Sequence, residues 1–104
     1  MSGTKHKLIV TIVNKGKGDH VADVACQAGA KGGTIIPGRG IAVRLILGIS
    51  IEPEKDIVLT LIEEEKVDVV YKTICEKMYL HEPSKGISFV LPLDKVLGLG
   101  HSSS

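Results

Sequence analysis

Two stretches of this chain are apolar on both faces of a period-two pattern, and no other feature narrows the possible folds as far. In Lys7 to Asn14, Leu8, Val10 and Ile12 alternate with Ile9, Thr11 and Val13, a β-branched run typical of a central strand. In Asp56 to Glu63, Ile57, Leu59 and Leu61 alternate with Val58, Thr60 and Ile62. Each calls for cover on both sides of a sheet. Gly33 to Gly38 reads as a further strand whose Pro37, lacking an N–H, belongs at a sheet edge or where the chain leaves the sheet. Gly86 to Leu91 reads as the last, with Ile87, Phe89 and Leu91 set against Ser88 and Val90.

Between these strands lie two stretches of helical period. Asp19 is placed to cap a helix carrying Val21, Val24, Ala25 and Ala28 on one face and Asp19, Asp23 and Gln27 on the other, with Gly29 as its stop. Val67, Val70, Tyr71, Ile74 and Met78 form a second stripe, opposite Asp68, Lys72 and Glu76, which are spaced for i, i+4 pairing. The order β-α-β-β-α-β is that of a ferredoxin-like α+β sandwich: an antiparallel sheet with two helices on one face. Two helices cover one face of four strands. Ile9, Val13, Val58 and Ile62, or their opposite-face counterparts, therefore require burial from elsewhere, and another copy of the chain is the simplest source.

At 104 residues the chain fits one domain, 1–104, with a core large enough to fold without disulfides or a structural metal, and 101–104 as a disordered tail. Leu93 to Gly100 is expected to turn and dock. The formal charge is +1, with both signs scattered, so no basic stripe suits a nucleic acid backbone. Tyr71, Tyr79 and Phe89, the only aromatic residues, are too dispersed for a base-stacking platform. Met1 to Lys7 has no signal-peptide character and Ile41 to Ile51 is far short of the roughly 20 residues of a membrane span, which together give a cytoplasmic protein with no membrane insertion and reduced thiols.

No constellation announces catalysis. His6, His20, His81 and His101 lack metal-ligand spacing, so no metal site is assigned. There is no nucleophile elbow, and Cys26 and Cys75 read as small buried hydrophobes. Two glycine-rich segments carry more information. Lys15-Gly16-Lys17-Gly18 precedes the first helix as a turn whose free N–H groups also suit an anion. Lys31-Gly32-Gly33-Thr34 and Gly38-Arg39-Gly40 bracket the second strand, offering close backbone approach, a hydroxyl and a guanidinium.

Read with the element order, these residues resemble the P-II nitrogen regulatory protein family. The resemblance covers nearly the whole chain, through Lys7 to Asn14, Ala28 to Thr34, Gly38-Arg39-Gly40, Gly86 to Pro92 and Asp94 to Leu99. It is closest to a shortened subgroup with the segment Gly48 to Lys55. It implies a signal-transducing homotrimer, not an enzyme, with adenine nucleotides (ATP, ADP or AMP) or another small anion in the clefts between subunits. It also implies a projecting loop, 38–55, that docks on a regulated enzyme or transporter. By position, Gly33 and Thr34 lie near the adenine, and Gly38, Arg39 and Gly40 at the base of the loop. Ser84, Lys85, Gly86 and Ile87 fall on the phosphate side, and Ile41, Val43, Arg44 and Leu45 face the partner.

The chain departs from the family pattern at several positions. Ile87 stands where the family has a lysine, and Gly98 and Gly100 where it has arginines, although Lys85 offers a charge one residue before the loop glycine. The loop has no tyrosine, and the only glutamine is Gln27, on a helix, which argues against uridylylation and the usual 2-oxoglutarate sensing. Three readings stay open: an effector-binding regulator, a divergent structural or partner-binding subunit that has lost nucleotide binding, and, as a distant third, a small-molecule-processing enzyme on the same widely reused fold. The run Ile41 to Ile51 is either an extra strand or hairpin, the favoured expectation, or an exposed partner surface.

Overall fold

The computed structural model describes residues 5–40, 45–46, 49–50 and 54–99. The first strand, β1, spans His6–Asn14, and is followed by helix α1 (Gly18–Ala28) and strand β2 (Thr34–Arg39). Two short strands come next, β3 (Leu45–Ile46) and β4 (Ile49–Ser50), then β5 (Glu54–Glu63). A 3₁₀ turn (Glu64–Lys66) leads into helix α2 (Val67–Lys77), and β6 (Gly86–Pro92) completes the order. The main sheet runs β2-β5-β1-β6, antiparallel throughout, so the two doubly apolar strands do occupy its centre and the strand bearing Pro37 its edge. This is the expected ferredoxin-like α+β arrangement.

The central register, from His6 opposite Glu63 to Asn14 opposite Lys55, decides which side chains share a face. Ile9, Val13, Val58 and Ile62 turn toward the helices and close a core with Val21, Val24, Ala25, Val67, Val70, Ile74 and Met78. Thr11 also faces the helices, and its hydroxyl lies 3.0 Å from that of Ser88, while the Tyr71 hydroxyl donates to the Ser88 carbonyl at 3.0 Å. The Thr60 hydroxyl is buried on this side with no partner among the described residues.

The opposite face carries Leu8, Val10 and Ile12 of β1, Ile57, Leu59 and Leu61 of β5, Ile36 of β2, and Ile87, Phe89 and Leu91 of β6. No helix covers it. Val10, flanked in register by Leu59 and Phe89, is closed off by its neighbours, but Ile87 remains 56% exposed, Leu91 42% and Phe89 39%. The need for outside cover therefore falls on the counterparts of Ile9, Val13, Val58 and Ile62, which are themselves satisfied.

Several local expectations are corrected. Asp19 does not cap α1: the helix starts two residues earlier than that cap would place it, at Gly18 with Lys17 in the cap position, and Asp19 lies in the first turn. Gly29, at φ +128, does end it, donating to the Cys26 carbonyl. Asp68, Lys72 and Glu76 line the exposed side of α2 without closing an ion pair among the described residues, as expected where water screens both charges. Cys26 is exposed and Cys75 half-buried, so neither is the fully buried residue that was expected. In the tail, Leu93 packs partly while Leu97 stays fully exposed.

Loop 38–55 is shorter than expected at both ends, since Arg39 still belongs to β2 and Glu54 already to β5. Within it β3 and β4 form a two-stranded hairpin, Leu45 opposite Ser50 and Ile46 opposite Ile49, apart from the main sheet. Of the assigned partner-facing residues, Ile41, Val43 and Arg44 lie outside the described residues, as do 101–104. Leu45 opens the hairpin.

Ile74 is wholly buried where α2 meets the sheet, so Ile74→Ala should cost about 2–5 kcal/mol through lost contact and residual cavity. Urea denaturation at fixed protein concentration measures it.

Candidate functional site

The antiparallel register gathers one set of strand ends. Across the sheet at this end lie Arg39 at the close of β2, Glu54 and Lys55 at the start of β5, Asn14 and Lys15 at the close of β1, and Ser84 and Lys85 just before β6. With Lys17 this makes five cations among the described residues, Lys15, Lys17, Arg39, Lys55 and Lys85, against the carboxylates of Asp19, Glu54 and Asp56. The balance attracts anions.

The carboxylates here have defined internal partners. Asp56 shares the helix-side face with Val13, and its Oδ2 accepts from the Gly16 and Gly18 amides, both at 3.0 Å. The anion held by the glycine-rich turn is therefore the protein's own carboxylate, which also sits favourably at the positive end of α1. A Cβ at Gly18 would come within 2.9 Å of that oxygen, so any larger residue there would have to push the carboxylate aside. Glu54 pairs with Lys15 at 3.0 Å, and the Lys55 ammonium donates to Asn14 Oδ1 at 2.8 Å. Asn14 in turn donates through Nδ2 to the Ser84 carbonyl at 3.1 Å. Ser84 holds a left-handed φ of +69°, and Gly86 at φ +138° lies so close to β1 that a Cβ would fall 2.5 Å from the Ile12 carbonyl oxygen.

Within one protomer the assigned residues form three separate groups. Gly38, Arg39 and Gly40 share this end of the sheet with Ser84, Lys85, Gly86 and Ile87, but on the opposite edge, three strand spacings or about 14 Å away. Gly33 and Thr34 lie at the other end of β2, about 16 Å from Arg39 along the strand. There Gly33 runs so close to β5 that a Cβ would meet the Leu59 carbonyl at 2.9 Å. Beyond them a cleft of about 1050 Å³ has Lys5, Lys7, Lys31, Leu61, Asp94 and Leu99 among its walls. Asn14, Lys55 and Asp56 escaped notice in the sequence because only register brings them to the turns they serve.

No reactive constellation appears among the described residues. Burial pushes the Cys75 thiol up, opposed by its hydrogen bond with Tyr71 and aided by nearby Glu76, so it is a poorer nucleophile than a free thiol. Burial also raises the Tyr71 phenol, reinforced by Cys75. Among the described residues no three His, Cys, Asp or Glu side chains converge as a metal site would require, and no helix is long and apolar enough to cross a membrane.

Residues 6–100 match the family described as nitrogen regulatory protein P-II. The chain belongs to the P-II family. Solved structures agree at the level of fold. An Arabidopsis thaliana PII bound to citrate is similar at a TM-score of 0.70 and 23% identity, over 93% of this chain and 82% of that one. A Bacillus subtilis GlnK–ATP complex gives 0.71 at 14% identity over 91% and 89%, and B. subtilis GlnK 0.72 at 11% over 96% and 95%. No curated protein sequence matches. Against the P-II pattern, Ile87 projects 56% exposed where a lysine was anticipated, and Gly98, at φ +97°, faces open space.

Asp56→Ala leaves the Gly16 and Gly18 amides without their acceptor. Hydrogen bonds to a charged group are worth about 1.5–3 kcal/mol, and partial exposure places the expected loss at the lower end. Chemical denaturation should register it, together with faster amide exchange at both glycines.

Proposed function

We propose that this P-II protein is a homotrimeric regulator that takes a small anionic or adenine-nucleotide effector in the clefts between subunits. It acts on a partner enzyme or transporter through loop 38–55, as a cytoplasmic protein whose residues 1–104 work as one domain. The observation that carries this reading is the apolar sheet face bearing Ile36, Ile87, Phe89 and Leu91, which no helix among the described residues covers. A monomer would leave this patch in water, whereas association hides it and brings the β2 edge of one copy toward the β6 edge of another. That is how Gly33, Thr34, Gly38, Arg39 and Gly40 of one subunit would meet Ser84, Lys85, Gly86 and Ile87 of the next, closing a separation no single protomer spans.

The ligand class follows from charge. Lys17, Arg39, Lys55 and Lys85 border the strand ends, and a guanidinium flanked by Gly38 and Gly40 is suited to grip phosphate or carboxylate in a fork. The structures of similar fold with bound citrate and ATP carry ligands of this type. The second reading, a partner-binding subunit without nucleotide, draws on Ile87 and Gly98, which leave two expected phosphate contacts unfilled.

Light scattering should give three times the 11.1 kDa chain mass at micromolar concentration, and a monomer would end the trimer assignment. Calorimetry against ATP, ADP, AMP and citrate should detect binding that Arg39→Ala weakens by about 1.5–3 kcal/mol. Unchanged affinity would remove Arg39 from the site, and silence across the panel would favour the second reading.

A further inference from the structure

The three stem residues that lead back from the loop, Glu54, Lys55 and Asp56, are each tied to the β1–α1 turn by a different side-chain bond. Glu54 is held by Lys15, Lys55 by Asn14, and Asp56 by the Gly16 and Gly18 amides. Of these ties, the one through Asn14 runs on to another segment: its amide spans the 2.8 Å bond from Lys55 and the 3.1 Å bond to the Ser84 carbonyl. An ammonium only donates and a carbonyl only accepts, so a bridging side chain must accept on one side and donate on the other. Asparagine meets that demand in one orientation. Aspartate would keep Lys55 but turn a negative oxygen toward the Ser84 carbonyl, and alanine would keep neither contact.

The far end of this bridge is a poised turn. Ser84 holds φ +69°, a conformation an L residue adopts at a cost, and Gly86 is pressed against the β1 backbone. The Ser84 carbonyl therefore has little freedom to move without moving Asn14 or breaking the bond. We propose that Asn14 is a positioning residue that couples the Ser84–Ile87 turn to the stem of loop 38–55, so that an effector settling on the turn is felt at the base of the partner-binding loop. This rests on the effector and loop assignments made above, whereas the bridge itself is read directly from its two hydrogen bonds.

The test reads amide exchange at Lys15, Gly16 and Gly18, whose N–H groups end on the Glu54 carbonyl and the Asp56 carboxylate and so report on the stem. Ser84→Gly removes the Cβ that opposes the left-handed turn and firms it. In the natural chain it should slow exchange at these three amides on the order of two- to fivefold, part of the penalty a left-handed residue carries. In an Asn14→Asp background, which keeps the Lys55 bond and loses the Ser84 bond, the same change should do nothing. Such non-additivity is what separates coupling from a purely structural role. Equal slowing in both backgrounds, or none in the natural chain, overturns the proposal. ATP should likewise slow the three amides in the natural trimer and not in Asn14→Asp, and equal protection in both also overturns it. If ATP changes no amide in either protein, the nucleotide assignment falls and the ligand-free comparison alone decides the role of Asn14.

Discussion

The antiparallel pairing of β1 with β5 is the constraint on which the rest of the molecule depends. Nine residue pairs, from His6 with Glu63 to Asn14 with Lys55, fix at once which side chains enter the core, which remain on the open face, and which polar groups meet at the strand ends. A slip of one residue would exchange the two faces. Both are apolar here, so burial alone resists such a slip less than in a sheet with one polar face. The polar ends add discrimination: only this register delivers Asp56 to the Gly16 and Gly18 amides and Lys55 to Asn14.

This placement joins stability to function. The helices satisfy one face of the sheet through a core of aliphatic side chains that includes Ile9, Val58, Val70 and Ile74. The remaining face is apolar but open, and the edge strands that border it carry the two halves of the candidate site. On the proposed assembly, a site divided in this way would make oligomer and effector interdependent, because anything binding across the cleft would favour the assembled state by mass action. The short β3–β4 hairpin stands apart from the main sheet, joined to it through β2 and β5.

Membership of the P-II family explains the fold, while the details at the strand ends are particular to this chain. Its turn before β6 has a serine in a left-handed conformation followed by Lys85, Gly86 and an exposed Ile87, and the position expected to supply an arginine is Gly98. Positive charge is instead spread along the strand ends, through Lys17, Arg39, Lys55 and Lys85. An anion held by such a surface depends more on several partly solvated charges than on one deep phosphate pocket, and its binding should be more sensitive to salt.

By itself the sequence determined the element order, the two central strands, the edge position of Pro37 and the faces of both helices. Each of these is a short-range pattern, of period 2.0 or 3.6, legible without knowledge of partners. It also marked Gly33 and Gly38 as places of close backbone approach, and a Cβ there would meet the Leu59 carbonyl oxygen and the Ile57 side chain of β5. The tertiary structure alone decided which apolar face lies under the helices, since Leu8, Val10 and Ile12 are as hydrophobic as Ile9 and Val13, and only helix packing separates them. It alone showed that the anion at the glycine-rich turn is Asp56 and that Asn14 joins Lys55 to Ser84. Those contacts span about 40 and 70 residues of chain, and long-range pairing of this kind leaves no local pattern in a single sequence.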